Sequence, residues 1–441
     1  MTYIAVDDTD SPDNMCTTYV MSEIIKRSGY DVIGYPELVR LNPNISYKTR
    51  GNGALSVKLG KGSGKRRVIG TVDGRTIYGY EKSEEEILDE NVIEIAGDAV
   101  EKFSDLSFYS TNPGIVMFPD KIRDGIYFKA LEEDVTIEAA DKEIAAGNGI
   151  SKRFKNGHGV IGSVAAVAWP AERYTYEIIT YRYPHPQFID HSIKMEAARI
   201  ADDNVTTFNN IDEANHYPAI FPHPKTPVIY GVRGFNPDEL LKVSDRIETI
   251  LPTGFERRII FRTNQGTDDH IIPEPETVDD LHSYRLTGEI ASDPYVGVGG
   301  HYFIRFKYRN RFLSIAAFEP LKEFRKVFSQ LRKGDIVSFY GSFVNGNINV
   351  EKMEIHAVSR IFERVAPICE DCKIKTRNNG KNDFRCPSCG KKYRIPAYSE
   401  VRRNIKTGKY DVPVIARRHL SMPFEIERLF NDSVLFADRA L

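Results

Sequence analysis

The chain has 441 residues, 41% hydrophobic and 28% charged, with 60 basic and 62 acidic side chains for a formal net charge of −2. That balance is ordinary for a soluble globular protein, and at ~150 residues per domain the length predicts about three domains. No apolar stretch approaches the ~20 residues of a membrane span and no signal-peptide pattern opens the chain, so a cytoplasmic protein without membrane contact is expected.

In chain order, residues 3–6 (Tyr-Ile-Ala-Val) read as a buried strand, and Asp7, Asp8 and Asp10 crowd its exit. Like charges this close repel, and a fold tolerates them best when a cation shares the site. Oxygen ligands at that density suit Mg²⁺, which usually also holds substrate phosphates. The plainer reading is a solvated acidic turn with a helix cap at Ser11. Cys16, Thr17 and Thr18 follow, with hydroxyls able to reach a phosphate or accept one, and residues 18–28 carry a helical period. In Lys48-Thr49-Arg50-Gly51-Asn52-Gly53, two glycines allow close backbone approach to a phosphate while Lys48 and Arg50 neutralise it. An ordinary basic turn is the alternative.

Residues 54–59 alternate as a strand. Gly60-Lys61-Gly62-Ser63-Gly64-Lys65 has too short a spacing for a Walker loop, and Arg66 follows where Ser or Thr is needed. It reads as a flexible basic loop. Residues 83–103 read as one long helix or two short ones. Gly157-His158-Gly159-Val160-Ile161-Gly162 matches GxGxxG, but residues 150–155 before it are not a buried strand, which argues against a dinucleotide fold. What remains is a glycine turn feeding a helix N-terminus at Ser163, able to hold an anion. His158 reads equally as a spacer or a participant.

Residues 226–265 give a strand–helix–strand unit in which Asn236 caps and Pro237 opens the helix, suiting a ferredoxin-like domain. The polar run from Arg262 to His270 leaves that unit and reads either as ligand-binding or as a solvated loop. Residues 280–360 hold five strand candidates with a helix between the third and fourth, the pattern of an OB-fold barrel. Arg305, Lys307 and Arg309 interleave with aromatics there, which fits single-stranded nucleic acid, although strand alternation assigns some of those aromatics to the core. Cys369-x2-Cys372 and Cys386-x2-Cys389, separated by thirteen residues, have zinc-ribbon spacing, with Gly380 and Gly390 expected at the knuckle turns. Lys373, Lys375 and Arg377 on its flank look like nucleic-acid contacts. The end of the chain reads as an appended helix.

The strings Asp7-Asp8-Thr9-Asp10-Ser11, Met15-Cys16-Thr17-Thr18-Tyr19, Val39-Arg40-Leu41-Asn42-Pro43-Asn44, Lys48-Thr49-Arg50-Gly51-Asn52, Thr111-Asn112-Pro113-Gly114 and Arg262-Thr263-Asn264-Gln265-Gly266-Thr267 resemble the archaeal agmatinylcytidine synthetase family, TiaS. The resemblance spans essentially the whole chain. It implies an α+β multidomain protein: an α/β kinase-like ATP/Mg domain at 1–195 with a possible inserted segment contributing to the next domain, a ferredoxin-like domain at 196–278, an OB-fold RNA-binding domain at 279–363, a zinc ribbon at 364–397 and a helical extension at 398–441. It implies an ATP-dependent ligase that joins agmatine to C2 of the wobble cytidine of the CAU-anticodon isoleucine tRNA through a phosphorylated cytidine, with ATP ending as AMP. Asp7, Asp8, Asp10 and Thr18 would be catalytic, with Mg²⁺ on Asp7 and Asp8 and with Thr18 itself open to phosphorylation. Thr17, Lys48, Arg50, Gly51, Asn52, Gly157, Gly159 and Gly162 would meet ATP and its phosphates. A non-enzymatic tRNA or single-stranded RNA binder and an Mg-dependent nuclease are the competing classes. The acidic cluster argues against the first, and the basic turn with Thr17 and Thr18 against the second.

Overall fold

The computed structural model describes residues 2–12, 14–48, 51–84, 89–183, 188–222 and 225–430. Its first half holds strands β1 (Thr2–Asp7), β2 (Asp31–Ile33), β3 (Glu37–Arg40), β4 (Gly53–Gly60), β5 (Gly62–Val72), β6 (Arg75–Ser83), β7 (Gly114–Phe118), β8 (Ile150–Arg153), β9 (Thr175–Tyr181), β10 (Thr207–Phe208), β11 (Val228–Gly234) and β12 (Arg257–Thr263). The helices there are α1 (Thr17–Ser28), α2 (Asn91–Phe103), α3 (Gly125–Glu132), α4 (Ile137–Ala146), α5 (Val160–Ala168), α6 (His191–Asp202) and α7 (Pro237–Glu248). Among the described residues these twelve strands join one sheet in the order β10-β11-β9-β12-β5-β6-β2-β4-β1-β7-β8, with β3 bridging β12 and β4.

Strand β1 is central because every residue from Ile4 to Val6 is apolar, so both its faces can be covered. Alternation splits them. Ile4 and Val6 pack with Leu55, Val57, Ile115 and Met117 under α1 and α2, while Ala5 packs with Val116 and Phe118 under α3, α4 and α5. The result is a helix–sheet–helix sandwich in which β1 ends at Asp7 between two helix layers.

Strands β9 to β12 form the other end of the sheet in the order β12-β9-β11-β10, antiparallel throughout. Helices α6 and α7 cover one face through Ala197, Ala198, Leu240 and Val243. Asn236 caps α7 as expected: its side chain accepts from the Asp238 N–H at 2.9 Å. The domain boundary expected at 196 falls inside α6, and the earlier segment expected to contribute to the next domain includes β9. Strand β9 and helix α6 supply Ile178 and Met195 to the same core as β11 and α7, so residues before 196 are integral to this unit. The helix expected over 83–103 is α2 alone, since β6 runs to Ser83; residues 85–88 lie outside the described residues.

The second half begins with β13 (Ile271–Pro273), β14 (Ser283–Ile290), β15 (Tyr295–Val296), β16 (Tyr302–Tyr308), β17 (Arg311–Ala317), helix α8 (Glu323–Phe328), β18 (Ile336–Val344) and β19 (Asn347–Ala357). Strand β14 pairs with both β16 and β18, and β17 pairs parallel to β19 beside β18, which closes a barrel. Leu286, Ile304, Phe306, Ile315, Phe339 and Met353 fill it, and Phe324 and Phe328 of α8 plug one end.

Beyond it lie β20 (Phe362–Val365), β21 (Arg377–Gly380), β22 (Asp383–Arg385), β23 (Lys392–Tyr393), β24 (Ala397–Glu400) and β25 (Gly408–Asp411). The extension expected to be helical from 398 begins instead with strands, and among the described residues it is helical only at the short Val414–Ala416 turn and over 424–430. Strand β24 pairs with β20, and β25 adds to β19 at the barrel edge. The segment then crosses back to the large sheet: Gly266 N–H donates to the His419 carbonyl at 2.9 Å and Asp268 N–H to that of Leu420. Met422, Ile426 and Phe430 finally pack on Phe208. Residues 431–441 lie outside the described residues.

Candidate functional site

A cavity of about 760 Å³ opens where β1, β3, β9 and β11 end against α1 and α5. Its lining includes Asp7, Asp8, Asp10, Thr17, Thr18, Lys48, Gly51, Asn52, Gly159 and Gly162, so the structure gathers these sequence-predicted residues at one place. Gly157 is absent from that lining and serves the turn before α5, at φ 68°. Arg50 lies outside the described residues.

The carboxylates are held by backbone. Asp8 takes φ 58°, a left-handed conformation uncommon for a side-chain-bearing residue, and this turns the chain sharply at the strand exit. Its N–H donates to Asp7 Oδ1 at 2.7 Å, and the Asn112 N–H donates to Asp8 Oδ2 at 3.0 Å. The Thr111 hydroxyl donates to the Asp10 carbonyl at 2.9 Å. Burial pushes the Asp7 carboxyl up to about 7, and burial followed by the Asp7 charge pushes Asp8 up to about 8. Two oxygen ligands whose ionisation is opposed by their surroundings are the donor set a divalent cation satisfies.

Two helix N-termini meet them. Helix α1 puts Thr17 and Thr18 in its first turn, buried, with Thr18 Oγ1 3.0 Å from Cys16 Sγ. Its amides and dipole favour an anion there. Helix α5 starts at Val160, three residues before the expected Ser163, because Gly159 and Gly162 let it approach β1: a Cβ on Gly162 would lie 1.8 Å from Asp7 Oδ2, and one on Gly159 2.6 Å from the Asp7 carbonyl oxygen. The glycine pattern therefore seats the helix on a carboxylate. The His158 ring packs edge-on to Tyr47 at 4.2 Å in the same wall.

The basic turn is built differently from its sequence reading. Lys48 Nζ donates to the carbonyls of Pro43 and Ile45. Gly51 and Gly53 make room for the Arg40 side chain, whose Nη1 stands 2.6 and 2.8 Å from where their Cβ atoms would be. The Gly60–Lys65 stretch is no phosphate loop: Gly60 ends β4, and Gly62 to Lys65 begin β5, where Gly62 and Ser63 pair with Ser83 and Lys82 of β6.

Sequence reasoning missed Arg40, Glu177, Arg233, Lys225 and His419 in this lining. Arg40 and Arg233 are charged residues at or near strand ends, a usable signal. His419 lies far along the chain and carried none. The polar loop after β12 is largely buried and lines none of this cavity: Asn264, Gln265, Thr267 and His270 are fully buried. Asn264 pairs with both backbone groups of Arg40, at 2.7 and 2.8 Å, and so fixes the end of β3.

On the barrel, Arg305 and Lys307 point outward and Phe306 and Tyr308 inward. Arg305 lies over the half-exposed Phe312 ring at 4.0 Å. Arg309 sits in the β16–β17 turn and donates to the Glu274 carbonyl at 3.0 Å. The sulfurs of Cys369, Cys372, Cys386 and Cys389 lie within 4.8 Å of one another, and hydrogen bonding from Tyr393 and nearby amides pulls the Cys369 thiol down to about 6. Lys373, not Gly380, takes the left-handed turn of the first knuckle at φ 56°, and Gly390 that of the second; Gly380 belongs to the β21–β22 hairpin. Lys373, Lys375 and Arg377 are exposed beside it. Among the described residues no helix is long and apolar enough to cross a membrane.

Residues 3–154 match the TiaS TCKD domain model and residues 157–270 the TiaS FLD domain model. The isoleucine-tRNA 2-agmatinylcytidine synthetase TiaS of Thermoplasma volcanium is 54% identical over 98% of this chain and 99% of its own. The chain belongs to the TiaS family. The TiaS of Archaeoglobus fulgidus is 34% identical over 96% of each chain. Crystal structures of apo TiaS (TM-score 0.80, 32% identity, 96% of this chain and 97% of that) and of TiaS in complex with its isoleucine tRNA, AMPCPP and agmatine (TM-score 0.78, 30% identity, 96% of each) share the whole architecture. The boundary between the two TiaS domain models, near 155, precedes α5, in keeping with β9 and α6 belonging to the second unit.

Proposed function

We propose that this protein is an ATP-dependent ligase that conjugates agmatine to the wobble cytidine of the CAU-anticodon isoleucine tRNA, cleaving ATP to AMP. The observation that carries this is the convergence of Asp7, Asp8, Asp10, Thr17, Thr18 and Lys48 in one cavity of a chain 54% identical to an isoleucine-tRNA 2-agmatinylcytidine synthetase. An RNA-binding protein without chemistry has no use for half-buried carboxylates beside two helix N-termini.

The chemistry accounts for the parts. The C2 oxygen of cytosine leaves poorly; carrying one phosphoryl group from ATP, it leaves as inorganic phosphate when the agmatine amine attacks C2 and gives up a proton, and a second phosphoryl group passed to the Thr18 hydroxyl and then to water accounts for AMP. Asp7 and Asp8, with Asp10 beside them, would hold Mg²⁺, which neutralises triphosphate charge. Thr17, Thr18 and the first-turn amides of α1 bind and orient the phosphates, and Thr18 is placed to accept one. Lys48, once it exchanges the Pro43 and Ile45 carbonyls for phosphate oxygens, and Arg50 would clamp the same polyanion, Gly51 and Asn52 shape that turn, and Gly157, Gly159 and Gly162 set the helix that backs Asp7. The apolar walls, Leu38, Ile161, Ile179 and Ile220, exclude water from a flipped base.

Strand order supports the domain names. The antiparallel β12-β9-β11-β10 sheet under two helices is a ferredoxin-like unit, and the closed barrel with its helix between β17 and β18 is an OB fold. The four cysteines fit a structural Zn²⁺: bonds of about 2.3 Å in a tetrahedron place sulfurs just under 4 Å apart, and Cys369 and Cys389 stand at 3.6 Å. We assign Arg305, Lys307 and Arg309 on the barrel and Lys373, Lys375 and Arg377 on the ribbon to tRNA phosphates. Incubation with ATP, Mg²⁺, agmatine and the CAU-anticodon transcript should add the mass of agmatine less water to one cytidine; an unmodified transcript at saturating substrate would refute the assignment.

A further inference from the structure

We propose that Arg40, Arg233 and His419 form a phosphate-oxyanion seat in the cavity, completed only when the C-terminal segment docks. This rests on reading the cavity as the agmatine-transfer site. Arg40 comes from the end of β3, Arg233 from β11, and His419 from the stretch that returns from the barrel. All three line the cavity.

The hydrogen bonds fix the histidine. Arg233 Nη2 and His419 Nδ1 are 3.0 Å apart. A guanidinium has no acceptor, so Nδ1 accepts and the imidazole proton sits on Nε2. Nε2 faces the Gly51 turn, 3.4 Å from where a Cβ on Gly51 would stand. The Arg40 charge, burial and the Arg233 charge together hold the imidazole well below its usual range. His419 thus adds a directed donor without adding a third charge.

Glu177 serves both arginines, and Asp7 and Asp10 feel the Arg40 charge across the cavity. Arg233 Nε lies 3.3 Å from Glu177, which also accepts from Gln265. Among the described residues Arg40 makes one side-chain hydrogen bond, from Nη1 to the Gly51 carbonyl at 3.3 Å, and its Nε is buried without a partner. Like charges brought together out of water destabilise a fold unless an anion bridges them. Two guanidinium forks and one imidazole N–H suit phosphate oxygens. The phosphate belongs either to the nucleotide or to the RNA backbone beside the reacting cytidine.

The test uses the full-length protein with His419→Phe, His419→Gln and Arg233→Gln. Affinity for a non-hydrolysable ATP analogue is measured without RNA, and KM for tRNA is measured in the modification assay. His419→Phe should weaken one of the two by about tenfold or more, the scale of a lost charge-assisted hydrogen bond. His419→Gln, which keeps an N–H donor, should restore most of it. Loss in the analogue measurement assigns the seat to the nucleotide; loss confined to tRNA KM assigns it to the RNA phosphate. A folded His419→Phe protein within twofold of wild type in both, or His419→Gln as impaired as His419→Phe, overturns the proposal. If His419→Phe fails to fold, Arg233→Gln decides by the same criteria. Wild-type protein that does not modify tRNA refutes the functional reading instead.

Discussion

Replacing Gly162 by alanine should stop catalysis although it improves helix propensity. Gly162 lies in the first turn of α5, where Gly→Ala ordinarily stabilises a helix by ~1 kcal/mol. Here the new Cβ would stand 1.8 Å from Asp7 Oδ2 and 2.8 Å from its Cγ, whereas ordinary contact begins near 3.4 Å. The carboxylate oxygen must therefore retreat by about 1.6 Å, the difference between 3.4 and 1.8 Å. That movement breaks the 2.7 Å bond from the Asp8 N–H and spoils the pairing of the two carboxylates. Overpacking of this kind costs roughly 1–3 kcal/mol, so the helix gain is at best cancelled and the melting temperature should fall slightly. The catalytic cost is larger, because a displacement of about 1 Å at a reacting centre is worth ~10²-fold. Single-turnover agmatine incorporation into the CAU transcript, followed by mass spectrometry, should drop at least that far while tRNA affinity, carried by barrel and ribbon, stays within about twofold. A folded variant working above a tenth of the wild-type rate would refute the argument that α5 is seated on Asp7.

Further expectations concern separate parts of the molecule. Asp8→Ala should abolish ATP turnover with tRNA binding nearly intact; collapse of tRNA binding with surviving turnover would reverse the assigned division of labour. Arg418 and His270 outweigh burial and hold the Glu351 carboxyl down to about 2, below its ordinary 4.5. The native state therefore binds fewer protons than the unfolded chain between those values, so this stability is fully present above about pH 4.5 and lost as pH falls toward 2. The shift is worth on the order of 3 kcal/mol, and urea melts of wild type and Glu351→Gln should show the variant less sensitive to acid; parallel curves would contradict it. Cys386→Ser should lower bound zinc, measured by metal analysis, and weaken tRNA binding; wild-type protein without zinc would refute the ribbon assignment. Phe312→Ala should weaken tRNA binding by ~1–3 kcal/mol if a base stacks on that ring beside Arg305; unchanged affinity in filter binding removes it from the interface.

Local pattern by itself determined much of this protein. The apolar run 3–6, the cap at Asn236, the barrel strands and the cysteine spacing each depend on neighbours within a few residues, through alternation, capping or ligand geometry, and a single sequence displays such constraints. The acidic knot and the threonines after it were legible for the same reason, since strand exit and helix start are contiguous. Tertiary structure alone decided the rest. Gly162 faces Asp7 across 155 positions, and its meaning is the absence of a Cβ at one point in space. The polar run after β12 reads as a surface loop until β3 and the C-terminal segment bury it. His419, in a tail whose pattern suggested a plain helix, reaches the cavity because β25 joins the barrel edge and turns the chain back. Long-range packing sets these positions, and no local period encodes it.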